Sequence, residues 1–109
     1  MKHKVCSLSA LKEKGKMRVL VNERPILIAL VGEKVYAIND KCPHKGAPLS
    51  PGVLEGGIIQ CKEHGLKIDV TTGMVVPSTK AKILVPNSDA QSVRTFKASV
   101  EAGQVYIEI

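Results

Sequence analysis

Aromatic residues and long apolar stretches are both scarce in this chain of 109 residues. Tryptophan is absent, and the only aromatics are Tyr36, Phe96 and Tyr106, so the hydrophobic core must be mostly aliphatic. No apolar run approaches the roughly 20 residues that a membrane-spanning helix needs, and the first residues lack the apolar segment of a signal peptide. We therefore expect a cytoplasmic protein with no membrane association.

Length and charge limit the number of domains and the kinds of partner. A chain of this length allows one domain, residues 1–109, and hydrophobic residues make up 44% of it, which is enough for folding. Lysine and arginine outnumber acidic residues 16 to 10, giving a net charge of +6. The basic residues are scattered and no recognition motif occurs, so nucleic acid is not an expected partner.

Short strand-forming segments separated by turns fill most of the sequence. Residues 26–31 form a continuous apolar run rich in β-branched residues, which predicts a buried strand. No stretch of about ten residues keeps a helical period, although a brief helical turn over residues 10–13 is expected before Gly15. The pattern predicts a mainly antiparallel, all-β fold. The predicted strands are residues 4–8, 16–21, 26–31, 35–38, 58–60, 66–70, 97–100 and 104–109. Thr72-Gly73 is predicted to make a hairpin turn between residues 66–70 and residues 74–76.

Two loop motifs contain the same chemical groups. They are Cys42-Pro43-His44-Lys45-Gly46 and Cys61-Lys62-Glu63-His64-Gly65, and 16 residues separate His44 from Cys61. Two Cys and two His suit a borderline-to-soft metal centre. One tetrahedral zinc is an alternative, but its usual frame pairs Cys with Cys and His with His. The mixed pairs suit a two-iron cluster in which His replaces Cys on one iron.

The two motifs, their spacing and their flanking residues resemble the Rieske iron–sulfur motif. Val35-Tyr36-Ala37-Ile38 precedes the first motif, and Asp69-x-x-Thr72-Gly73-x-Val75 follows the second. The resemblance is clearest from Ser7 to Pro77. It implies one Rieske-type 2Fe-2S cluster and a small antiparallel β-barrel or sandwich, with a cluster-binding loop subdomain at about residues 40–78.

The resemblance also implies a role for each ligand and for its neighbours. Cys42 and Cys61 would hold the inner iron, and His44 and His64 would hold the outer iron, which accepts the electron. The two glycines would let the loop backbones approach the sulfides closely. Pro77 falls at the position of a covering proline loop, although it could equally be a plain strand terminator. The supporting positions are Pro43, Lys45, Gly46, Ala47, Gly65, Leu66 and Pro77.

Departures from the family pattern indicate a subtype. High-potential Rieske proteins carry a second Cys in each loop, where this chain has Ala47 and Glu63. They also place Ser and Tyr hydroxyl donors after the second His-Gly, where this chain has Leu66 and Ile68. Fewer donors leave the reduced cluster less stabilised and lower its potential. The chain thus resembles the soluble, low-potential Rieske ferredoxins, which pass one electron from a reductase to an oxygenase or similar acceptor.

Two alternatives stay open at this point: a Rieske small subunit of a larger oxidoreductase such as a nitrite reductase, and a zinc-binding structural module. No catalytic set accompanies the motifs, so the chain is expected to be an electron-transfer protein and not an enzyme. Lysines in or beside the motifs predict docking to an acidic face of a redox partner. They are Lys41, Lys45, Lys62 and Lys67. Cys6 is expected to be a small buried hydrophobe rather than a reactive thiol.

Overall fold

The computed structural model describes residues 2–42, 47–62, 65–76 and 92–109. Nine strands and one helix occur in these ranges. In chain order they are β1 (Lys2–Ser7), α1 (Leu8–Lys14), β2 (Lys16–Val21), β3 (Arg24–Val31), β4 (Lys34–Asn39), β5 (Val53–Glu55), β6 (Ile58–Gln60), β7 (Lys67–Asp69), β8 (Thr95–Glu101) and β9 (Gln104–Glu108).

The strands form two antiparallel sheets. The larger sheet has six strands in the order β1-β9-β8-β4-β3-β2, and its edge strands β1 and β2 contact each other, so it is a nearly closed barrel. The smaller sheet has three strands in the order β5-β6-β7. The predicted all-β class is confirmed, and all the strand pairs in the described residues are antiparallel.

Strand β3 is buried on both faces, which explains its uninterrupted apolar sequence. Successive side chains of a strand point to opposite faces. Leu27 and Ala29 therefore enter the apolar cluster that also contains both loop cysteines. Ile26 and Ile28 enter the barrel interior with Phe96. The apolar run at residues 26–31 thus lies between two apolar clusters and packs against both.

The expected helical turn is confirmed as α1, a helix of seven residues. Ser7 caps it, because its hydroxyl accepts a hydrogen bond from the Ala10 amide at 3.2 Å. Gly15 ends it in a left-handed conformation with φ of 80°, and its N–H donates to the Leu11 carbonyl. Leu8 consequently belongs to the helix and not to the first strand. The fully buried Leu11 anchors α1 to the barrel interior.

Strand β5 was not predicted, because residues 53–55 follow a turn-rich segment and precede the Gly56-Gly57 reversal. Pairing with β6 makes it a strand: Val53 lies opposite Gln60 and Glu55 opposite Ile58. Val53 is 60% exposed, so no apolar alternation marks this strand in the sequence. After β7, the predicted reversal at Thr72-Gly73 is confirmed by the isolated bridge between Ile68 and Val75.

Gly73 is expected to tolerate no side chain. Its φ is +79°, and an added Cβ would collide with the Val93 carbonyl oxygen and lie 2.9 Å from Thr95 Cγ2. Gly103 is a matched control, since its φ is +75° and its Cβ position is open. Gly103→Ala should cost about 1 kcal/mol from backbone strain alone. Gly73→Ala should cost about 2–4 kcal/mol because backbone must also move. Thermal midpoints of the two variants test this, and equal shifts would contradict it.

Candidate metal centre

Both motif cysteines lie at the bottom of their loops, beside the same core. Cys42 lies three residues beyond the end of β4, and Cys61 directly follows β6. Each is 2% exposed. They share one apolar cluster, whose other fully buried members above alanine in size are Leu27, Ile38, Leu49, Ile59, Leu66, Ile68 and Val70. The fold therefore brings the two predicted thiolate ligands, which are 19 positions apart in sequence, to one buried region.

The two loops are closed by equivalent backbone hydrogen bonds. The Cys42 amide donates to the Ala47 carbonyl at 2.7 Å, and the Cys61 amide donates to the Leu66 carbonyl at 2.7 Å. Each bond spans five residues and begins at a motif cysteine. The second loop is tightened further, because the Gly65 amide donates to the Cys61 carbonyl at 2.8 Å. Gly65 has a φ of 71°, which favours glycine at this position.

Several predicted site residues lie outside the described residues: Pro43, His44, Lys45, Gly46, Glu63, His64 and Pro77. The assignment of His44 and His64 as ligands therefore stays a prediction. Among the described positions, Ala47 and Leu66 supply the carbonyls that close the loops, and Leu66 is 1% exposed. Residues 80–92 contain none of the predicted strands, and the structure describes this segment only at Ser92, which forms an isolated bridge with Met74.

The donor chemistry of this region fits a thiolate-ligated metal group. A thiolate buried among aliphatic side chains is costly unless a positive centre compensates its charge. Two such cysteines at the bases of matched loops supply soft ligands, and each motif adds one imidazole in the sequence. Leu66 and Ile68 beside them contribute no hydroxyl donor, as the sequence predicted.

The surface around the loops carries unpaired positive charge. Lys41, Lys62 and Lys67 are exposed, and within the described residues none of them forms an ion pair. A cleft of about 360 Å³ reaches Cys61 and Gly65, and Lys62 lies on its wall.

Cys6 lies away from this region, on β1. It packs against the barrel interior, and partial burial raises the pKa of its thiol. Cys6 is thus packed as expected, but it is partly and not fully buried. Its low reactivity stays a prediction.

Asp40 is the functional candidate that the sequence did not reveal. Among the described residues it is the one charged residue that is buried, and it lies two positions before Cys42. In the sequence it stands in Asn39-Asp40-Lys41, a polar segment that resembles a solvated turn. No local pattern distinguishes a buried aspartate from an exposed one, so burial alone identifies it.

Comparison with protein families gives one match over most of the chain. The model described as Rieske 2Fe-2S domain matches residues 1–97. Ferredoxin CarAc of Metapseudomonas resinovorans is 35% identical over 105 residues, which cover 95% of this chain and 90% of the relative. The ferredoxin component of biphenyl 2,3-dioxygenase from Rhodococcus jostii is 33% identical over 109 residues, covering 97% and 91%.

Other matches are to larger proteins and to solved structures. The vanillate O-demethylase oxygenase subunit of a Pseudomonas strain is 43% identical over 51 residues, but these cover only 16% of that subunit. A structure of the complex of reduced oxygenase and oxidized ferredoxin in carbazole 1,9a-dioxygenase contains a chain that superposes with a TM-score of 0.80 at 33% identity. That alignment covers 97% of this chain and 91% of the other.

Proposed function

Because this chain belongs to the Rieske 2Fe-2S domain family, we propose that it is a one-electron carrier that delivers electrons from a reductase to an oxygenase or similar acceptor. The observation that carries the proposal is the length of its relatives: two ferredoxins, one of them the ferredoxin component of a biphenyl 2,3-dioxygenase, are matched over nine-tenths of their length. The family implies one Rieske-type 2Fe-2S cluster. When bound, this cluster takes up and releases one electron.

The chain itself contributes ligands, a dry environment and a fixed loop geometry. We assign Cys42, Cys61, His44 and His64 as the ligands. The aliphatic cluster around the two cysteines excludes water from the thiolate side. The matched backbone bonds from Cys42 and Cys61 hold each loop closed, so that little rearrangement is needed when the charge of the site changes. Residues of about 40–78 would act as the cluster-binding subdomain of a single domain.

Two alternatives from the sequence are less well supported. The family match disfavours a zinc-binding structural module. A small subunit of a larger oxidoreductase, such as a nitrite reductase, would co-purify with its large partner, whereas an independent carrier would not. Within the described residues no helix is long and apolar enough to cross a membrane. The cytoplasmic location stays a prediction.

Redox titration of the purified, cluster-loaded protein tests the carrier function. Dithionite should reduce the protein by one electron per chain, and an inorganic oxidant should recover the original spectrum. No turnover of an organic substrate should accompany this cycle. A protein that takes up no electron, or that oxidises a substrate by itself, would contradict the carrier function.

We further propose that the partner docks through an acidic face onto the lysines around the loops. Lys41, Lys62 and Lys67 are exposed beside the site and carry no ion pair among the described residues, so their charge is available to a partner. Lysine-rich surfaces steer acidic partners and raise association rates by about 10- to 1000-fold. The net charge of +6 adds to this steering.

Small charged oxidants measure this local field without a cognate partner. In stopped-flow experiments, reduced protein should react faster with the anionic cobalt(III)–EDTA complex as salt is lowered. Changing both Lys62 and Lys67 to Glu should slow that reaction by roughly three- to tenfold and accelerate oxidation by the cationic cobalt(III) tris-phenanthroline complex. The control changes Lys4 and Lys12, on β1 and α1, in the same way and alters the net charge equally. Both are exposed, and neither forms an ion pair among the described residues. Equal effects of the two double variants would contradict a local docking surface.

A further inference from the structure

The buried Asp40 carboxylate joins the two ends of the first loop. Its Oδ1 accepts hydrogen bonds from the Leu49 amide at 2.7 Å and the Ser50 amide at 2.8 Å. Its Oδ2 accepts one from the Ser50 hydroxyl at 2.8 Å. Asp40 precedes Cys42, and residues 49–50 follow Ala47, so these three bonds bracket the loop that contains the first motif.

Strands of the barrel fix the position of this carboxylate. The Asp40 amide donates to the Pro25 carbonyl in β3 at 3.0 Å. Arg18 on β2 places Nη1 3.3 Å from Asp40 Oδ2. Lys16, also on β2, donates from Nζ to the Ser50 carbonyl at 2.6 Å. Two basic residues of the edge strand β2 thus stabilise the contact between Asp40 and Ser50: Arg18 binds Asp40, and Lys16 binds Ser50.

The cost of such an arrangement argues for a role. A buried carboxylate loses its hydration and persists only when hydrogen bonds and a counter-charge replace it. Asp40 has three hydrogen bonds and one partly exposed arginine, whose side chain is 44% exposed. Because solvent screens the exposed arginine more than the buried aspartate, we expect the arginine to offset the carboxylate charge only in part.

We propose that Asp40 is a positioning residue for the cluster: it holds the first loop closed at its base, and its buried charge lowers the cluster potential. This inference rests on the proposed function, since it requires Cys42 to be a cluster ligand. Residues that orient metal ligands from outside the ligand shell typically change metal retention by about 10- to 100-fold when removed. Reduction adds a negative charge to the cluster, which a nearby buried carboxylate disfavours.

We call the contact of Asp40 with residues 49–50 the clamp, and the rate of iron release from the cluster-loaded protein tests it. Asp40→Ala leaves the Leu49 and Ser50 amides without their acceptor, and should release iron to a strong chelator about 10- to 100-fold faster than the unchanged protein. Asp69→Ala is the control, because Asp69 also accepts bonds from a backbone amide and a hydroxyl, those of Thr71. Asp69 lies at the end of β7 opposite Ile58, away from Cys61. Equal release rates in the two variants would overturn the clamp.

A second pair of variants, with smaller changes, tests the clamp if Asp40→Ala does not fold. Ser50→Ala removes only the hydroxyl donor to Asp40, and Thr71→Ala removes the corresponding donor to Asp69. Iron release should accelerate several-fold in the first variant and stay unchanged in the second. Release that is equally fast in both would overturn the clamp.

The midpoint potential of the cluster distinguishes a positioning role of Asp40 from a general effect on protein stability. Asp40→Asn removes the buried charge but keeps an oxygen acceptor for the two amides, so the potential should rise. Arg18→Gln removes the opposing charge, so the potential should fall. Asp69→Asn should leave the potential unchanged. A potential that does not rise in Asp40→Asn would overturn the electrostatic role. If the unchanged protein binds no iron–sulfur cluster, the proposed function fails instead, and the two failures are therefore distinguishable.

Discussion

Changing Cys61 to Ala is expected to abolish cluster binding entirely. Cys61 is buried at the base of the second loop, and the first loop has no spare thiol to replace it. The variant should purify without colour and with iron below one-tenth of the unchanged protein. Cys6→Ala is the matched control, because Cys6 packs in the barrel at β1 and should leave the iron content and the spectrum unaltered. Full iron in Cys61→Ala, or equal losses in both variants, would refute the ligand assignment.

Replacing a predicted imidazole ligand is also expected to prevent cluster binding. His64→Ala removes the second predicted ligand of the outer iron, and no other histidine is close in sequence to either motif except His44. The cluster should be lost or should fail to assemble. His3→Ala provides the control, since His3 is on β1. Retention of the native spectrum in His64→Ala would show that the outer iron has a different ligand.

A midpoint potential near the lower limit for Rieske centres, about −150 mV, is the second large expected effect. Leu66 and Ile68 are fully buried beside the cysteines and donate no side-chain hydrogen bond to the cluster. Ala47 likewise cannot form a disulfide across the loops. Without these contributions the reduced state is stabilised less. Voltammetry at pH 7 that returned a value above about +100 mV would contradict the low-potential subtype.

A substitution at Leu66 tests the cause of the low potential. Leu66→Ser introduces a hydroxyl at the position where high-potential relatives carry one. A hydrogen bond that favours the reduced cluster by roughly 1–2 kcal/mol would raise the potential by about 40–80 mV for one electron. Leu66→Ala removes the same packing without adding a donor, and should raise the potential much less. Equal shifts would assign the effect to lost packing instead.

The sequence was sufficient for features that local patterns determine. The apolar run at residues 26–31 predicted the buried core of β3, and Gly15 predicted the end of the helix. The two motifs predicted that Cys42 and Cys61 come together, and their burial in one cluster agrees with this. The ligand roles of His44 and His64 stay predictions. The features that could be predicted depend on neighbouring residues or on the spacing of the two motifs.

Features that arise only from tertiary packing were not predictable. Strand β5 exists because β6 offers it a pairing edge, and its exposed Val53 gives no apolar signal. Asp40 is buried because residues 49–50 and side chains of β2 pack over it. The hydrogen bonds in this region join residues that are 9 to 34 positions apart in sequence. A solvated turn and a buried clamp have the same local sequence, so only the fold distinguishes them.

Metal and sulfide analysis of the purified protein distinguishes a two-iron cluster from a single zinc ion. We expect two irons and two acid-labile sulfides per chain, because two thiolates and two imidazoles complete the ligand set of a Rieske cluster. Iron and sulfide should be lost together in Cys61→Ala and stay together in Cys6→Ala. One zinc per chain with no acid-labile sulfide would contradict the assignment of this site as an electron-transfer centre.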